Sequence, residues 1–350
     1  MKNKDGIPTI LKTYRNIINC ALRGSLANES LPVYDMLRYC MGWSDYQGEK
    51  VNGISGKAVR PSLCMFACES TGGDVKYAVP AAVALELIHN FSLIHDEIQD
   101  HDEIRHHRDT LWKVWGVPKA LVAGNILRVV ADKALEPLHH LAHPEAMEVG
   151  RNLLTEACLE MIEGQYLDIS FEGRLNISQD EYMGMISRKT GALIRCSVNL
   201  GSYIGSVYTS RALGVEYVSR FREVGEHLGY AFQIRDDILG VWGREEDTGK
   251  QVGLDIRRKK NSLPIVHALA TASNKELDIL KKVYSRDVVS DNDVEMVLDI
   301  LESLGSQKHA EDLASQYCGL ALEAFDSIDI NIKSRGEMED LIKFLLVRTY

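Results

Sequence analysis

Proline is scarce in this chain. Only 8 of its 350 residues are proline, and long stretches carry neither proline nor glycine, so little interrupts helix propagation. Strand-like alternation of apolar and polar residues is missing, as are internal repeats at solenoid period and low-complexity tracts. An excess of basic charge is missing too. The formal net charge of −10 argues against a nucleic-acid-binding surface, but not against an anionic substrate, because local cations and metals decide that. The 7 cysteines (Cys20, Cys40, Cys64, Cys68, Cys158, Cys196 and Cys318) are scattered and odd in number. Cys64 and Cys68 share a helix face, yet no second pair stands at zinc spacing, so they read as reduced thiols of a cytoplasmic protein. The first 25 residues carry Lys2, Lys4, Lys12, Arg15 and Arg23 around short apolar stretches and do not form a signal peptide. No apolar run is expected to reach the length of a membrane span; the most apolar, Ala78 to Leu85, is far too short.

What the chain has is helix. With 45% hydrophobic residues it can bury a sizeable core, and we expect residues 1–350 to form a single all-α domain, a helical bundle with a central active-site cavity. Pro61 is expected to open a helix through Cys68, and Pro80 to open the long helix that carries Asp96 and Asp100. A turn is expected at Gly116 to Pro118, and helices over Glu145–Ile169, over Gln179–Gly205 behind a start signal at Ser178, and over residues 215–240. Pro264 should restart a helix. Amphipathic helix should then continue to Tyr350, broken near Ser334 to Gly336. Between these, residues 243–262 are charged, glycine-containing and poor in apolar residues. We expect them to form a lid loop.

Two acidic clusters carry the chemistry. The first is Asp96-Glu97-Ile98-Gln99-Asp100; the second is Asp236-Asp237-Ile238-Leu239-Gly240. Positions i and i+4 of a helix share a face, so Asp96 and Asp100 point the same way. Carboxylates on an apolar helix are costly without a compensating positive charge. Mg²⁺ suits the task, since it takes one or two carboxylates and completes its octahedron with water and substrate phosphate. Two such helices facing each other would hold a diphosphate through metal ions. Candidate cations accompany them. Lys57 and Arg60 precede a helix start, Arg105 and Arg108 follow the first cluster, and Lys189 with Thr190 sits in an otherwise apolar helix. Lys250, Lys259 and Lys260 lie in the charged loop. Five histidines crowd residues 89–107, but none of them pair at His-x-x-x-His spacing. His139 and His143 do, between two prolines that disfavour a regular helix, so zinc is set aside.

On these residues the chain resembles the trans-isoprenyl diphosphate synthases, the polyprenyl synthetase family, over nearly its full length. The clusters resemble the family's first and second Asp-rich motifs. Gly56, Lys57, Arg60 and Pro61 match its G-K-x-x-R-P element. His89, seven residues before Asp96, matches the homoallylic position. Gly164, Gln165 and Asp168, Lys189 and Thr190, and Phe232 and Gln233 match G-Q-x-x-D, K-T and F-Q. Lys250 and the run Lys260 to Pro264 match the later lysine elements, and Arg348 the C-terminal basic residue.

The resemblance implies that Asp96, Glu97, Asp100, Asp236 and Asp237 ligate three Mg²⁺ ions, with Mn²⁺ as a possible substitute. These grip an allylic prenyl diphosphate, aided by Arg105, Lys189, Thr190, Gln233, Lys250, Lys260 and Arg348. Asp96, Asp100, Lys189, Asp236 and Lys250 are the expected catalytic set. Lys57, Arg60, His89 and His106 are expected at the isopentenyl diphosphate site. Ionisation would give an allylic carbocation that isopentenyl diphosphate intercepts, yielding a fifteen- or twenty-carbon prenyl diphosphate. Phe91 and Ser92, one helical turn before Asp96, are expected to form the floor that stops chain growth. The resemblance also implies a homodimer.

Some residues depart from the family pattern. Glu97 and Gly240 stand where it has Asp, His106 where it has a second Arg, Asp109 where it has Pro, and Asn125 where it has the Asp of a G-D pair. Loss of that second Arg keeps open a terpene cyclase that ionises a prenyl diphosphate without isopentenyl diphosphate. A non-catalytic regulatory subunit should have lost its acidic clusters, which this chain keeps. A metal phosphohydrolase using the His95-Asp96 pair would need histidine ligands on other helices.

Overall fold

The computed structural model describes residues 7–27, 30–51, 56–141, 144–208, 214–243, 252–328, 330 and 332–347. Lys250, Arg348 and residues 244–251 of the expected lid lie outside them. The architecture is all-α, with a single two-stranded hairpin among the described residues. The chain forms two compact units, the first drawn from Met1–Cys158, Leu193–Arg222 and Asp326–Leu341, the second from Leu159–Ala192, Glu223–Phe325 and Ile342–Tyr350.

The first unit is organised on its fifth helix. In chain order its helices are α1 (Thr9–Thr13), α2 (Arg15–Ser25), α3 (Pro32–Cys40), α4 (Val59–Ser70), α5 (Val75–Gln99), α6 (Leu111–Trp115), α7 (Val117–Ala134) and α8 (Leu138–Leu141). Helix α5 begins five residues earlier than Pro80 suggests. Asp74 caps it by accepting the Lys76 N–H at 3.0 Å, a stronger start than proline alone, and Pro80 lies inside the helix. Ala78, Ala81, Ala82, Ala84, Leu85, Leu87 and Ile88 are fully buried, so α5 is apolar nearly all round, as a central helix must be. By length and composition it could cross a membrane, with a mean hydropathy of 1.4 over 18 residues. That window is 67% buried inside the fold, so the length is reached by a central core helix and not by a marked membrane span. Its polar members Glu86, His89 and Asn90 interrupt the run without lowering its average enough.

Further along the chain, the helix α9 (Pro144–Phe171) is followed by α10 (Gln179–Ile186), one π turn (Ser187–Gly191) and α11 (Ala192–Tyr208), then α12 (Gly214–Trp242). Residues of α9 to Cys158, of α11 from Leu193 and of α12 to Arg222 belong to the first unit. Ser178 and Glu181 form a reciprocal capping box at the start of α10, where the sequence places a helix start. Phe171, Ile177, Tyr182, Ile186, Ile234, Ile238 and Val266 form one core cluster, and Val241, Ile256, Ile265, Leu280, Val297 and Leu301 a second.

Two expectations about the C-terminal half change. The described part of the lid segment is not an open loop: Leu254–Arg257 is a short helix, and Gly253, Ile256, Asn261 and Ser262 are buried. Ile256 is the apolar anchor that a charge-dominated reading of the segment overlooks. Helix Ile332–Val347 runs through Ser334 to Gly336 without a break; the interruption falls before it, after Asp326.

Candidate active site

In the first unit, the first acidic cluster closes α5. Asp100 is the C-cap residue and keeps helical backbone angles, its N–H donating to Asp96 O at 2.7 Å. The i, i+4 register therefore survives to the end of the motif. Asp96 and Asp100 are both partly exposed and share a helix face. Glu97 is different. It is buried, and its Oε1 lies 3.6 Å from Arg105 Nε. Burial pushes its carboxyl up to about 7, against the opposing pull of Arg105. The sequence groups Glu97 with the metal-binding carboxylates; the structure gives it Arg105 as partner.

Arg105 is carried on an element that helical periodicity missed. Ile104–Arg105 pairs antiparallel with Arg108–Asp109, and both turn residues, His106 (φ 48°) and His107 (φ 61°), are left-handed. This is the geometry of a tight hairpin, which ordinarily signals itself by Asn-Gly. His-His gives no such signal. Arg108, read from sequence as a phosphate-seeking cation, instead lies over the Tyr39 ring at 4.0 Å and donates to Tyr39 O (3.2 Å) and Ser44 O (2.6 Å). It fastens the hairpin to the segment after α3.

Arg60 and His89 meet: Arg60 Nη1 lies 3.2 Å from His89 Nε2. Burial, with Arg60, Arg105 and His106 behind it, holds His89 well below the usual imidazole range, so the ring is neutral and Nε2 accepts from the guanidinium. Glu86, one turn earlier on α5, is buried; burial raises its pKa and the charge of Arg60 opposes the rise. Sequence reading missed Glu86, although a carboxylate three residues before His89 on an apolar helix was a legible signal. Lys57 is exposed. Arg60 contacts His89, and the charges of Arg105 and His106 also act on it.

Phe91 is buried, its ring 4.7 Å from that of His95. His95 in turn lies over Gly124 of α7, where a Cβ would come 2.5 Å from the imidazole. His95 is half-buried, its ring beside Phe91 and Gly124. Ser92 Oγ donates to His89 O at 2.8 Å.

In the second unit, Lys189 and Thr190 ride on the π turn, a local widening that often marks functional sites. Glycines let its backbone approach closely on two sides. A Cβ on Gly164 of α9 would lie 2.6 Å from Lys189 Cα, and one on Gly229 of α12 would lie 2.7 Å from Gly191 Cα. Lys189 Nζ is ion-paired with Asp168. Burial pushes the Asp168 carboxyl up, but Lys189 and Lys260 together outweigh it and leave the group below its usual range. Asp168, Lys189 and Lys260 are therefore one charged cluster. Thr190 Oγ1 donates to Gln233 Oε1 at 2.5 Å, and Gln233 Nε2 donates to Asp237 Oδ1 at 2.9 Å.

Asp237, also expected among the metal ligands, is likewise held by protein groups. It is buried, and its Oδ2 accepts from the Tyr182 hydroxyl and from Leu263 N at 2.7 Å. Three donors occupy it, although burial, with Asp255 adding to it, still raises its pKa to about 7. Asp237 ties α10, α12 and the start of the Leu263 helix together, while Asp236 is partly exposed. Tyr182 gave no sequence signal beyond its core spacing. A surface hollow of 580 Å³ lined by Ile162, Glu163, Tyr166, Leu167 and Arg188 adjoins this region in sequence, but none of the expected site residues lines it.

Comparison with known proteins gives a consistent set. Residues 46–301 match the family model described as polyprenyl synthetase. The chain is 35% identical over 319 residues to the (2E,6E)-farnesyl diphosphate synthase of Mycobacterium tuberculosis, covering 89% of this chain and 85% of that protein. It is 35% identical over 292 residues to the geranylgeranyl diphosphate synthase of Saccharolobus solfataricus, covering 83% and 84%. Its fold is similar to the crystal structure of polyprenyl synthetase from Streptomyces coelicolor, with a TM-score of 0.88, 34% identity and coverage of 97% of this chain and 99% of that one.

Proposed function

Because the chain belongs to the polyprenyl synthetase family, we propose that it condenses an allylic diphosphate with isopentenyl diphosphate to a fifteen- or twenty-carbon prenyl diphosphate. The observation that carries this reading is the contact of Arg60 with His89 in the first unit, two residues expected at the isopentenyl diphosphate site. A cyclase has no isopentenyl diphosphate to bind, and so no need to maintain it. Farnesyl and geranylgeranyl synthases among the relatives support the product range.

Members of the family depend on divalent metal. The donor set here suits Mg²⁺: Asp96 with Asp100, and Asp236, offer oxygen ligands only. Among the described residues no three His, Cys, Asp or Glu side chains converge on one point. Mg²⁺ needs no such cage, because water and diphosphate complete its shell. Bound there, Mg²⁺ supplies neutralisation of the charge that builds on the departing diphosphate.

The protein's own groups do the rest. Lys189 and Lys260, poised on Asp168, exchange that carboxylate for diphosphate oxygens, and Gln233 presents an amide oriented by Thr190 and Asp237. Arg105, Lys250 and Arg348 complete the grip on the allylic diphosphate. Arg60 and Lys57 hold the isopentenyl diphosphate by charge. His89, neutral, can offer it only a hydrogen bond. The C=C of isopentenyl diphosphate attacks C1 of the allylic cation, and the proton lost from the adduct leaves with the released diphosphate. Glu97 also holds Arg105, and Asp237 also serves as a structural anchor, beside their expected place in the ligand set. All 7 cysteines are free thiols, which supports a reducing, cytoplasmic setting. Helix α7 exposes Val117, Leu121, Val122 and Val129, which supports burial of that face in a homodimer.

Product analysis tests the reading. With Mg²⁺, five-, ten-, fifteen- and twenty-carbon allylic diphosphates are supplied with and without isopentenyl diphosphate. Longer prenyl diphosphates should form only when it is present. Hydrocarbon or alcohol from one allylic diphosphate alone would replace elongation with cyclisation, and no turnover of any substrate would favour the regulatory subunit.

A further inference from the structure

The hairpin that carries Arg105 is held in an unfavourable shape. His106 and His107 both take left-handed backbone angles, φ 48° and 61°. Residues with a side chain resist that region and stay in it only where surrounding contacts hold them. In the register of the ribbon, Arg105 stands directly opposite Arg108. Opposed residues raise their side chains from the same face, and like charges there repel. A ribbon with these features needs an outside contact to fix both its turn and the direction of Arg105.

Tyr39, in the last turn of α3, meets the second strand with three of its groups. Its hydroxyl donates to Asp109 O at 2.7 Å. Its ring lies 4.0 Å from the Arg108 guanidinium, a cation–π contact. Its carbonyl accepts from Arg108 Nη1 at 3.2 Å, while Nη2 donates to Ser44 O at 2.6 Å. Carbonyls in the last turn of a helix lack intrahelical donors and carry the negative end of its dipole, so a guanidinium suits them. Tyr39 is itself fixed: it is buried, its ring edge-on to that of Trp115 at 5.1 Å. Arg108 is thereby engaged by α3, while Arg105 stays partly exposed beside Glu97. Other bonds of the ribbon are local, as where Thr110 Oγ1 and Trp112 Nε1 donate to Asp102 O at 2.8 and 2.9 Å. Tyr39 comes from another helix, 70 residues before Asp109.

We propose that Tyr39 is the positioning residue for Arg105: its hydroxyl, ring and carbonyl hold the second strand, the second strand fixes the first, and the first aims Arg105 at the allylic diphosphate. Tyr39 acts on the substrate only through the hairpin. The inference rests on the reading above in which Arg105 grips that diphosphate.

The test is steady-state kinetics of the full chain with Mg²⁺, varying a ten-carbon allylic diphosphate at saturating isopentenyl diphosphate. Tyr39→Phe keeps the ring and loses one hydrogen bond, and should raise KM for the allylic diphosphate about threefold. Arg108→Lys keeps the charge but not the planar fork, and should raise it by a similar factor. Tyr39→Leu loses both ring and hydroxyl and should raise it about tenfold or more. A variant that merely folds less well has fewer active molecules, which lowers kcat and leaves KM in place. Arg105→Ala should itself raise this KM, and in its background the Tyr39 variants should add little, because the group they position is gone. Circular dichroism checks that each variant is folded. A folded Tyr39→Leu protein with the wild-type KM would overturn the assignment. So would Tyr39 variants whose effect is as large without Arg105 as with it. Should Tyr39→Leu fail to fold, Tyr39→Phe and Arg108→Lys at the wild-type KM overturn it equally. If Arg105→Ala alone leaves KM unchanged, the placing of Arg105 on the allylic diphosphate fails, and the role of Tyr39 falls with it.

Discussion

Gln233 donates its amide N–H to Asp237 at 2.9 Å, and this fixes which end of the amide faces Thr190. The carbonyl oxygen of Gln233 is therefore the atom that accepts from the Thr190 hydroxyl. Asp237 itself is held by Tyr182 and by the Leu263 N–H, so the orientation of the Gln233 amide depends on a tyrosine in the core. Tyr182→Phe deletes one donor to a buried carboxylate and should cost about 1–3 kcal/mol of stability. Melting by circular dichroism checks it. Asp236→Asn, on the exposed side of the same motif, should abolish turnover and leave the melting temperature near wild type. If Tyr182→Phe melts like wild type, Asp237 is not an anchor.

His89 sets a pH dependence. Burial and its cationic neighbours lower its pKa, so the folded protein binds fewer protons there than the unfolded chain at acid pH. Stability contributed by neutral His89 is complete above the unfolded value of about 6.5. It is lost as pH falls below that, because only the unfolded chain then gains the proton. Melting temperature of the metal-free protein should decline from about pH 7 to 5, and His89→Gln should flatten that decline. An equal decline in the variant would assign the effect to other groups.

His106 stands at the hairpin position where the family carries a second arginine. Its left-handed backbone (φ 48°) tolerates substitution at modest cost because the wild-type residue is itself non-glycine. His106→Arg supplies a permanent charge beside Arg105 and should lower KM for isopentenyl diphosphate several-fold, with KM for the allylic substrate unchanged. Arg60→Ala should raise the first KM and spare the second. Steady-state kinetics with each substrate varied in turn measures both. Parallel movement of the two KM values would show that these residues do not distinguish the substrates.

The proposed homodimer is open to a direct test. Val122 and Val129 lie seven residues apart on α7 and are 53% and 60% exposed, which places them on one face. Val122→Glu combined with Val129→Glu should convert a dimer to monomer in light scattering after gel filtration, with little change in helix content. A wild-type monomer, or a variant that stays dimeric, removes α7 from the interface.

Much of this was legible in the chain because helix formation follows from local pattern. The capping box at Ser178, the all-helical class and the register of Asp96 and Asp100 need only neighbouring residues. What escaped depends on residues far apart. Periodicity does not show that the Asp237 carboxylate is occupied by Tyr182 and Leu263, 55 and 26 residues away. It does not show that Glu97 takes Arg105 as partner, or that Tyr39 bonds to Asp109. Charge counting also misled. Residues 252–262 read as loop because they are polar, yet one buried isoleucine anchors a helix there.

Chain length tests the reading of Phe91. Its ring is 7% exposed and lies against His95, itself packed over Gly124, so removing the ring opens space that α7 cannot refill without moving His95. Phe91→Ala should cost about 3–5 kcal/mol, and the cavity it leaves is the space a longer prenyl chain would enter. Products should lengthen by one or more five-carbon units, as read by chromatography of the dephosphorylated alcohols. Phe91→Leu, with a smaller void, should shift the distribution less. Gly124→Ala, whose added methyl displaces His95 toward Phe91, should shift it toward shorter products. If Phe91→Ala folds, turns over and makes only wild-type lengths, Phe91 is a core residue and the floor lies elsewhere.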